Sequence, residues 1–273
     1  MGAARDERAR GRAPRAGVPG PVAAREGLRD LADALGVPLS KVTRRVEALE
    51  EYNPMLGLRG VRLGVTMPAI YTAQARAIFL ATIAASEGGD AVVPEIMLPL
   101  VSAKREVELI KTHIDAVAAA VRTETGADFD YKVGVMVETP RAALRADDIA
   151  QHSAFLSFGT NDLTQMTYGL SRDDAGRFMG AYVAQGVFAE DPFHALDLDG
   201  VGELLTIGAA RGRSVQPQLT LSLCGEHGGD PASIAFCRRA GFDYVSCSPF
   251  RVPVARLAAA HLALTEKLEP KGA

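Results

Sequence analysis

The sequence predicts an α/β protein of the (β/α)₈ TIM-barrel type, incomplete, with about five of the eight strand–helix units. Three observations predict it. Short apolar runs alternate with helix-length segments, the pattern of a parallel sheet with right-handed crossovers. Run after run ends in polar residues: Glu138, Asn161 with Asp162, and Cys224 with Glu226. An open doubly wound sheet also fits the alternation, but it would gather its polar groups at one switch point rather than at every strand end. Finally, 48% of the 273 residues are hydrophobic while Trp is absent and aromatics reach only 6%, so the core is expected to consist mainly of Val, Ile, Leu, Ala and Met.

Taken in order, residues 1–27 carry six arginines (Arg5, Arg8, Arg10, Arg12, Arg15, Arg25) among Ala, Gly and Pro. Such a segment buries too little surface to offset its ordering entropy, so it is expected to be a disordered leader. Residues 28–273 form the expected partial barrel. Leu28 to Tyr52 reads as two helices, the second capped by Ser40 with Val42, Val46 and Leu49 on one face. In the glycine-punctuated stretch that follows, VRLGV fits a short strand or an ordered turn equally well. Pro68 opens a helix to about Glu87, with Ile70, Ala77, Ile78 and Leu80 expected inward.

The repeated units come next. Val92–Leu100 is a strand, and Ser102 is expected to cap a helix from Ala103 to about Thr125, with Glu106 at capping-box spacing. Lys132–Val137 is a strand ending at Glu138, followed by a helix from Pro140. Ala154–Phe158 is a strand running into GTNDLTQ and a helix from Asn161. Leu219–Leu223 ends at Cys224, with a helix from Pro231. Tyr244–Cys247 is a short strand before a last helix to about Lys267. Continuous apolarity suits strands covered on both faces.

Composition excludes some partners. A net charge of −3 gives no footprint for nucleic acid. No apolar run is long enough to cross a bilayer. Three cysteines (Cys224, Cys237, Cys247) without metal-type spacing, and no signal peptide, point to reduced thiols and a cytoplasmic location.

Several residues could carry chemistry. Glu138 and Asp162, at the ends of neighbouring strands, offer hard oxygen ligands of the kind that hold Mg²⁺. The plainer readings are a helix cap for Asp162 and an ion pair with Arg141 for Glu138. Cys224 lies among Gly225, Gly228 and Gly229, which allow close approach, and no hydrolase signature accompanies it; a proton donor is the preferred reading. His227 either polarises that thiol or satisfies the glycine turn, and the second is preferred. Arg59, Arg62 and Arg172 could grip a phosphate or carboxylate; the plainer alternative is surface ion pairs, Arg172 with Asp173 or Asp174.

With these residues in view, EIMLPLV, GVMVETPRAA, FLSFGTNDLTQMTYGLSRDDAGRF, LCGEHGGDP and YVSCSPFRVPVARLAAA resemble the carboxyl-terminal, phosphoenolpyruvate-binding barrel of the pyruvate, phosphate dikinase family. Phosphoenolpyruvate synthase and enzyme I of the sugar phosphotransferase system are related alternatives that share GTNDLTQ. The resemblance implies Mg²⁺-dependent phosphoryl transfer between phosphoenolpyruvate or pyruvate and a phosphohistidine on a separate domain. In the complete enzyme, ATP, pyruvate and phosphate become AMP, phosphoenolpyruvate and diphosphate. It further implies that Glu138 and Asp162 are Mg²⁺ ligands, and that Arg59, Glu138, Gly159, Thr160, Asn161 and Asp162 contact the substrate. Cys224 is implied to be the acid/base at the methyl carbon of pyruvate, and a homodimer is implied as the assembly.

The sequence departs from the family pattern ahead of Val92. The three strands expected there, two of them ending in phosphate-gripping arginines, have no counterpart, nor do the nucleotide-binding and phosphohistidine domains. The expectation is therefore a piece of a dikinase that is inactive alone. The alternatives are one subunit of a split enzyme, or a ligand-binding remnant without catalysis.

Overall fold

A computed structural model describes residues 21–49, 51 and 54–268. Most of the expected leader lies outside these residues, but its last seven belong to helix α1 (Pro21–Leu35), which therefore begins earlier than the Leu28 expected. The chain divides into two compact units at Gly57/Leu58. In the first, α1 ends at Gly36 in the left-handed conformation (φ 63°), and α2 (Leu39–Ala48) starts after Pro38. Pro38 holds the N-cap position, so Ser40 lies inside the helix rather than capping it. Val42 is buried, but Val46 and Leu49 are exposed.

The second unit is built on a five-stranded parallel sheet: β1 (Glu95–Leu98), β2 (Lys132–Val137), β3 (Phe155–Gly159), β4 (Thr220–Cys224) and β5 (Tyr244–Val245). Its spatial order is the chain order, β1-β2-β3-β4-β5, every neighbouring pair parallel. There is no reversal of direction across the sheet. With right-handed crossovers that order puts the helices on one face, as in a barrel wall and unlike a doubly wound sheet.

The stretch that fits strand or turn on pattern, VRLGV, is helix α3 (Val61–Thr66), launched from Gly60 at φ 56°. A Cβ on Gly60 would come within 3.0 Å of the Pro99 carbonyl, and Val61 N–H donates to that same oxygen at 3.0 Å. Helix α4 (Pro68–Ser86) buries Ala75, Phe79 and Thr82, so its inner face is rotated from the one expected: Ala77 and Leu80 are exposed. Phe79 packs on Phe129 and Tyr131 (centroids 5.1 and 4.9 Å). Helix α5 (Lys104–Thr125) has Ala103 at its N-cap, one residue after the Ser102 expected. Only one half of a capping box is chemically possible there, the Glu106 carboxylate accepting from Ser102 and Ala103 N–H at 2.7 and 2.9 Å.

Two short helices, α6 (Pro140–Leu144) and α7 (Ala146–Ala150), link β2 to β3. Helix α8 (Thr160–Tyr168) follows β3 directly, and α9 (Arg172–Ala175), α10 (Met179–Ala184) and α11 (Val201–Val215) lead to β4. Helix α12 (Pro231–Arg239) is capped by Asp230, which accepts from Ser233 N–H at 2.8 Å, and α13 (Val252–Leu268) is last.

The strands are not equivalent on their two faces. Val133, Val135, Val137, Leu156, Phe158, Leu221 and Leu223 belong to one apolar cluster shared with the helices. The alternate positions are mostly small or polar: Gly134, Met136, Phe155, Ser157, Gly159, Ser222, Cys224. Continuous apolarity thus did not mean helices on both faces; the second face carries the site. Bulk and space are matched across elements. A Cβ on Gly134 would meet the Phe155 ring at 2.5 Å, one on Gly208 would meet Phe158 at 2.7 Å, and one on Gly212 would meet Leu219 at 2.9 Å.

Candidate active site

The carboxyl ends of β1 and β2 are stitched together. Leu100 N–H donates to Glu138 Oε1 at 2.6 Å, and Thr139 Oγ1 donates to the Val101 carbonyl at 3.0 Å. Arg141 Nη1 donates to the Ser102 carbonyl. So Arg141 serves the neighbouring loop, and the Glu138–Arg141 pair considered above is not the arrangement found. Leu100 is the one non-glycine described residue with positive φ (57°). That conformation costs on the order of 1 kcal/mol for a leucine, and it turns the amide toward the Glu138 carboxylate.

The ends of β3 and β4 are joined through Thr160. Gly159 lies opposite Cys224 in the sheet. Thr160 Oγ1 lies 3.0 Å from the Cys224 carbonyl and 2.8 Å from His227 Nδ1. His227 is fully buried, with Nε2 3.1 Å from the Pro192 carbonyl. Burial lowers its pKa, so the imidazole is neutral. A carbonyl can only accept, so the ring hydrogen of the neutral imidazole sits on Nε2, and the single Thr160 hydroxyl hydrogen is shared between Nδ1 and the Cys224 carbonyl. His227 is therefore an anchor for the glycine turn, the reading preferred from sequence, and does not polarise the thiol.

Between these two seams Glu138 and Asp162 meet. Glu138 is 6% exposed, and burial, then the hydrogen bond shared with Asp162, push its pKa up to about 8; the Leu100 amide and the Arg59 charge act in the opposite sense. Asp162 occupies the first turn of α8, but the N-cap is Gly159 with no side-chain cap and Asp162 Oδ1 is buried with no hydrogen-bond partner, so the plainer reading of Asp162 as a helix cap is not the arrangement found. Asn161 Oδ1 is buried and unpartnered in the same turn. A Cβ on Gly159 would stand 2.9 Å from Glu138 Oε2 and from Met136 Sδ, so only glycine leaves the carboxylate where it is.

Cys224 Sγ is 3.4 Å from Met136 Sδ. Burial raises the pKa of its thiol; a hydrogen bond with Ser157 works against this, and the charges of Glu138 and Asp162 add to it. The group is accordingly a thiol rather than a thiolate at neutral pH. Arg172 Nη2 donates to Glu226 Oε1, a partner other than the Asp173 or Asp174 expected for a simple surface ion pair.

The sequence-derived residues Glu138, Gly159, Thr160, Asn161, Asp162 and Cys224 thus converge on one mouth, with Arg59 close enough to bear on Glu138 electrostatically. Sequence reasoning missed Leu100, Met136, Ser157 and the bonding of Glu226. Ser157 and Met136 were findable as the inward alternate positions of their strands, whereas nothing in the sequence marks Leu100 as left-handed.

The donor set fits a small hard cation. Two carboxyls crowd together, one so destabilised that it keeps its proton, and the other has an unpartnered oxygen. Among the described residues no group of three His, Cys, Asp or Glu side chains could hold a metal by itself. A cation that takes one or two carboxylates and completes its shell with water and substrate needs no third.

The family model for the PEP-binding domain of PEP-utilising enzymes matches residues 24–264. The chain belongs to this family. Curated relatives include pyruvate, phosphate dikinase from Rhizobium meliloti (56% identical over 236 residues), covering 86% of this chain and 26% of that protein. The dikinase of Clostridium symbiosum is 51% identical, covering 87% and 27%. The chloroplastic dikinase 1 of Oryza sativa is 53% identical, covering 87% and 25%. This chain therefore spans about a quarter of the length of the curated relatives it matches. A solved citrate lyase from Burkholderia xenovorans has a TM-score of 0.41 at 19% identity, covering 64% of this chain and 55% of that one. Among the described residues, no helix is long and apolar enough to cross a membrane.

Proposed function

We propose that this chain carries the phosphoenolpyruvate/pyruvate half-site of a pyruvate, phosphate dikinase. The observation that carries it is the meeting of Glu138, buried at the end of β2, with Asp162, whose Oδ1 is buried and unpartnered in the first turn of α8. In this reading Glu138 and Asp162 release their shared proton to hold Mg²⁺. When bound, the cation supplies positive charge to the substrate oxygen that gains negative charge on enolisation. Cys224, a thiol at the next strand end, gives a proton to the methylene carbon of the enolate and takes one from the methyl group in reverse. Thr160, tied to β4 at the Cys224 carbonyl, keeps that thiol and the metal pair in register. Gly159 leaves space beside the carboxylates, and Arg59, Asn161 and the amides opening α8 contact the substrate's anionic end.

His227 is engaged at both ring nitrogens and is not the phosphoryl carrier of this scheme; the family likeness puts that histidine on a separate domain. Three free cysteines fit a reducing, cytoplasmic setting for the protein. The test is calorimetric titration of the chain with pyruvate in the presence and absence of Mg²⁺. Binding that requires Mg²⁺ and disappears in Asp162→Ala is the expected result; Mg²⁺-independent binding, or none, counts against the reading.

A further inference from the structure

Two sulfurs meet at the mouth from strands that are not neighbours. Met136 lies on β2 and Cys224 ends β4, with β3 between them. Cys224 Sγ is nevertheless 3.4 Å from Met136 Sδ. The contact depends on the residue that β3 puts between them. Gly159 lies opposite Cys224 in the sheet, and a Cβ there would stand 2.9 Å from Met136 Sδ. The same Cβ would stand 2.9 Å from Glu138 Oε2, so the thioether and the carboxylate border one space over Gly159. Met136 is half-buried and has Ser157 as its register partner on β3.

Chemistry fixes the direction of this bond. A thioether has no hydrogen and can only accept, so the thiol donates to it. The bond is also weak, a poor donor meeting a poor acceptor. Stronger acceptors are close by: the charges of Glu138 and Asp162 bear on the thiol, and Asp162 Oδ1 is a carboxylate oxygen without a donor. A thiol turned toward those oxygens would spend its hydrogen on the groups that hold the cation. Turned toward Met136, it keeps a hydrogen that a basic carbon can take.

We propose that Met136 is a positioning residue, its thioether holding the Cys224 thiol toward β2 over Gly159 and keeping the thiol hydrogen off the carboxylates. This deepens the reading of Cys224 as the proton donor and rests on it for the step that is served. In that step the S–H bond breaks and its electron pair stays on sulfur as a thiolate. The proton goes to the methylene carbon of the enolate, whose electron pair forms the new C–H bond; the reverse step restores the thiol. Met136 acts through Cys224 and exchanges no proton itself.

The test is Met136→Leu in the full chain, a swap that keeps volume and apolarity and removes the acceptor. One signal is the infrared S–H stretching band of Cys224, assigned by its loss in Cys224→Ser, with Cys237 and Cys247 as internal references. The other is Mg²⁺-dependent exchange of the pyruvate methyl hydrogens in heavy water by ¹H NMR, read beside pyruvate affinity by calorimetry. The melting temperature controls for folding and should be unchanged. Expected are a Cys224 band moved to higher wavenumber, as for a freed S–H, and exchange about ten-fold slower with affinity within about two-fold, because misplacing a reacting group slows the step without weakening binding. An unmoved band would overturn the bond. A moved band with unchanged exchange, or exchange and affinity falling together, would overturn the positioning role. A wild type that exchanges no methyl hydrogen sinks the half-site reading instead, and the band still decides whether Met136 holds the thiol.

Discussion

The two ends of this sheet are both rich in polar side chains, but they treat them in opposite ways. At the amino end, a cavity of about 470 Å³ is lined by Lys111, Tyr131, Lys132, His152 and Gln216. Its charges are already partnered: Lys111 with Asp115 at 2.7 Å, Asp115 with the Tyr131 hydroxyl at 2.6 Å, and Lys132 with Glu95 at 3.0 Å. At the carboxyl end, Asp162 and Asn161 keep buried oxygens without donors, and burial beside Asp162 pushes the Glu138 carboxyl well above the usual carboxylate range. A folded chain bears such costs where a ligand relieves them. The difference teaches that buried oxygens without donors gathered beside a crowded carboxyl pair, rather than cavity size, mark the site; single unpartnered atoms such as His113 Nδ1 and Asp147 Oδ1 lie elsewhere.

The comparison can be broken most directly at Asp162. Changing outer partners of a metal already costs about 10–100-fold in affinity. Asp162→Ala is therefore expected to weaken Mg²⁺-dependent pyruvate binding by at least roughly 100-fold in calorimetry, and a loss under about five-fold would put the cation elsewhere. Gly159→Ala probes the same spot by volume. The added methyl displaces the Glu138 carboxylate, and affinity should fall about ten-fold while the fold survives by circular dichroism.

His227 sharpens the contrast through pH. Its folded pKa is depressed by burial, so on acidification the unfolded chain takes up a proton that the folded chain refuses. Stability is accordingly present above the unfolded value and lost as pH falls through it, from about 6.5 downward, by up to about 1.4 kcal/mol per pH unit. Urea denaturation at about pH 7.5, 6.5 and 5.5 should show this slope, and His227→Asn should flatten it. At the amino end the expected effects are smallest. Lys132→Ala removes a pair whose side chains are 53% and 45% exposed. It should cost less than about 1 kcal/mol and leave pyruvate binding untouched; a binding defect there would dissolve the distinction between the two ends.

Much of this was legible in the sequence because it depends on short-range pattern. Lys132–Val137 matched its strand to the residue, and the polar exits Glu138 and GTNDLTQ led to the meeting of two carboxylates. The sequential strand order followed from alternation and crossover hand. What was not legible depends on contacts distant in sequence. VRLGV became a helix because Gly60 packs against the Pro99 carbonyl, which pattern alone does not reveal. The inner face of α4 turned toward Phe129 and Tyr131, aromatics some fifty residues later. Leu100 adopts its left-handed turn for a carboxylate 38 positions away. Such tertiary demands override local preference, and they cluster around the mouth.

The pairing of glycines with bulky neighbours has a consequence for heredity. Gly134 faces Phe155, Gly208 faces Phe158, and Gly212 faces Leu219 and Leu156. At each pair the available volume belongs to two positions jointly, so a single-step enlargement of the glycine is blocked while a compensated double step stays open. Lineages of this domain should therefore change these positions in couples, and a drift analysis treating them as independent sites would undercount the constraint.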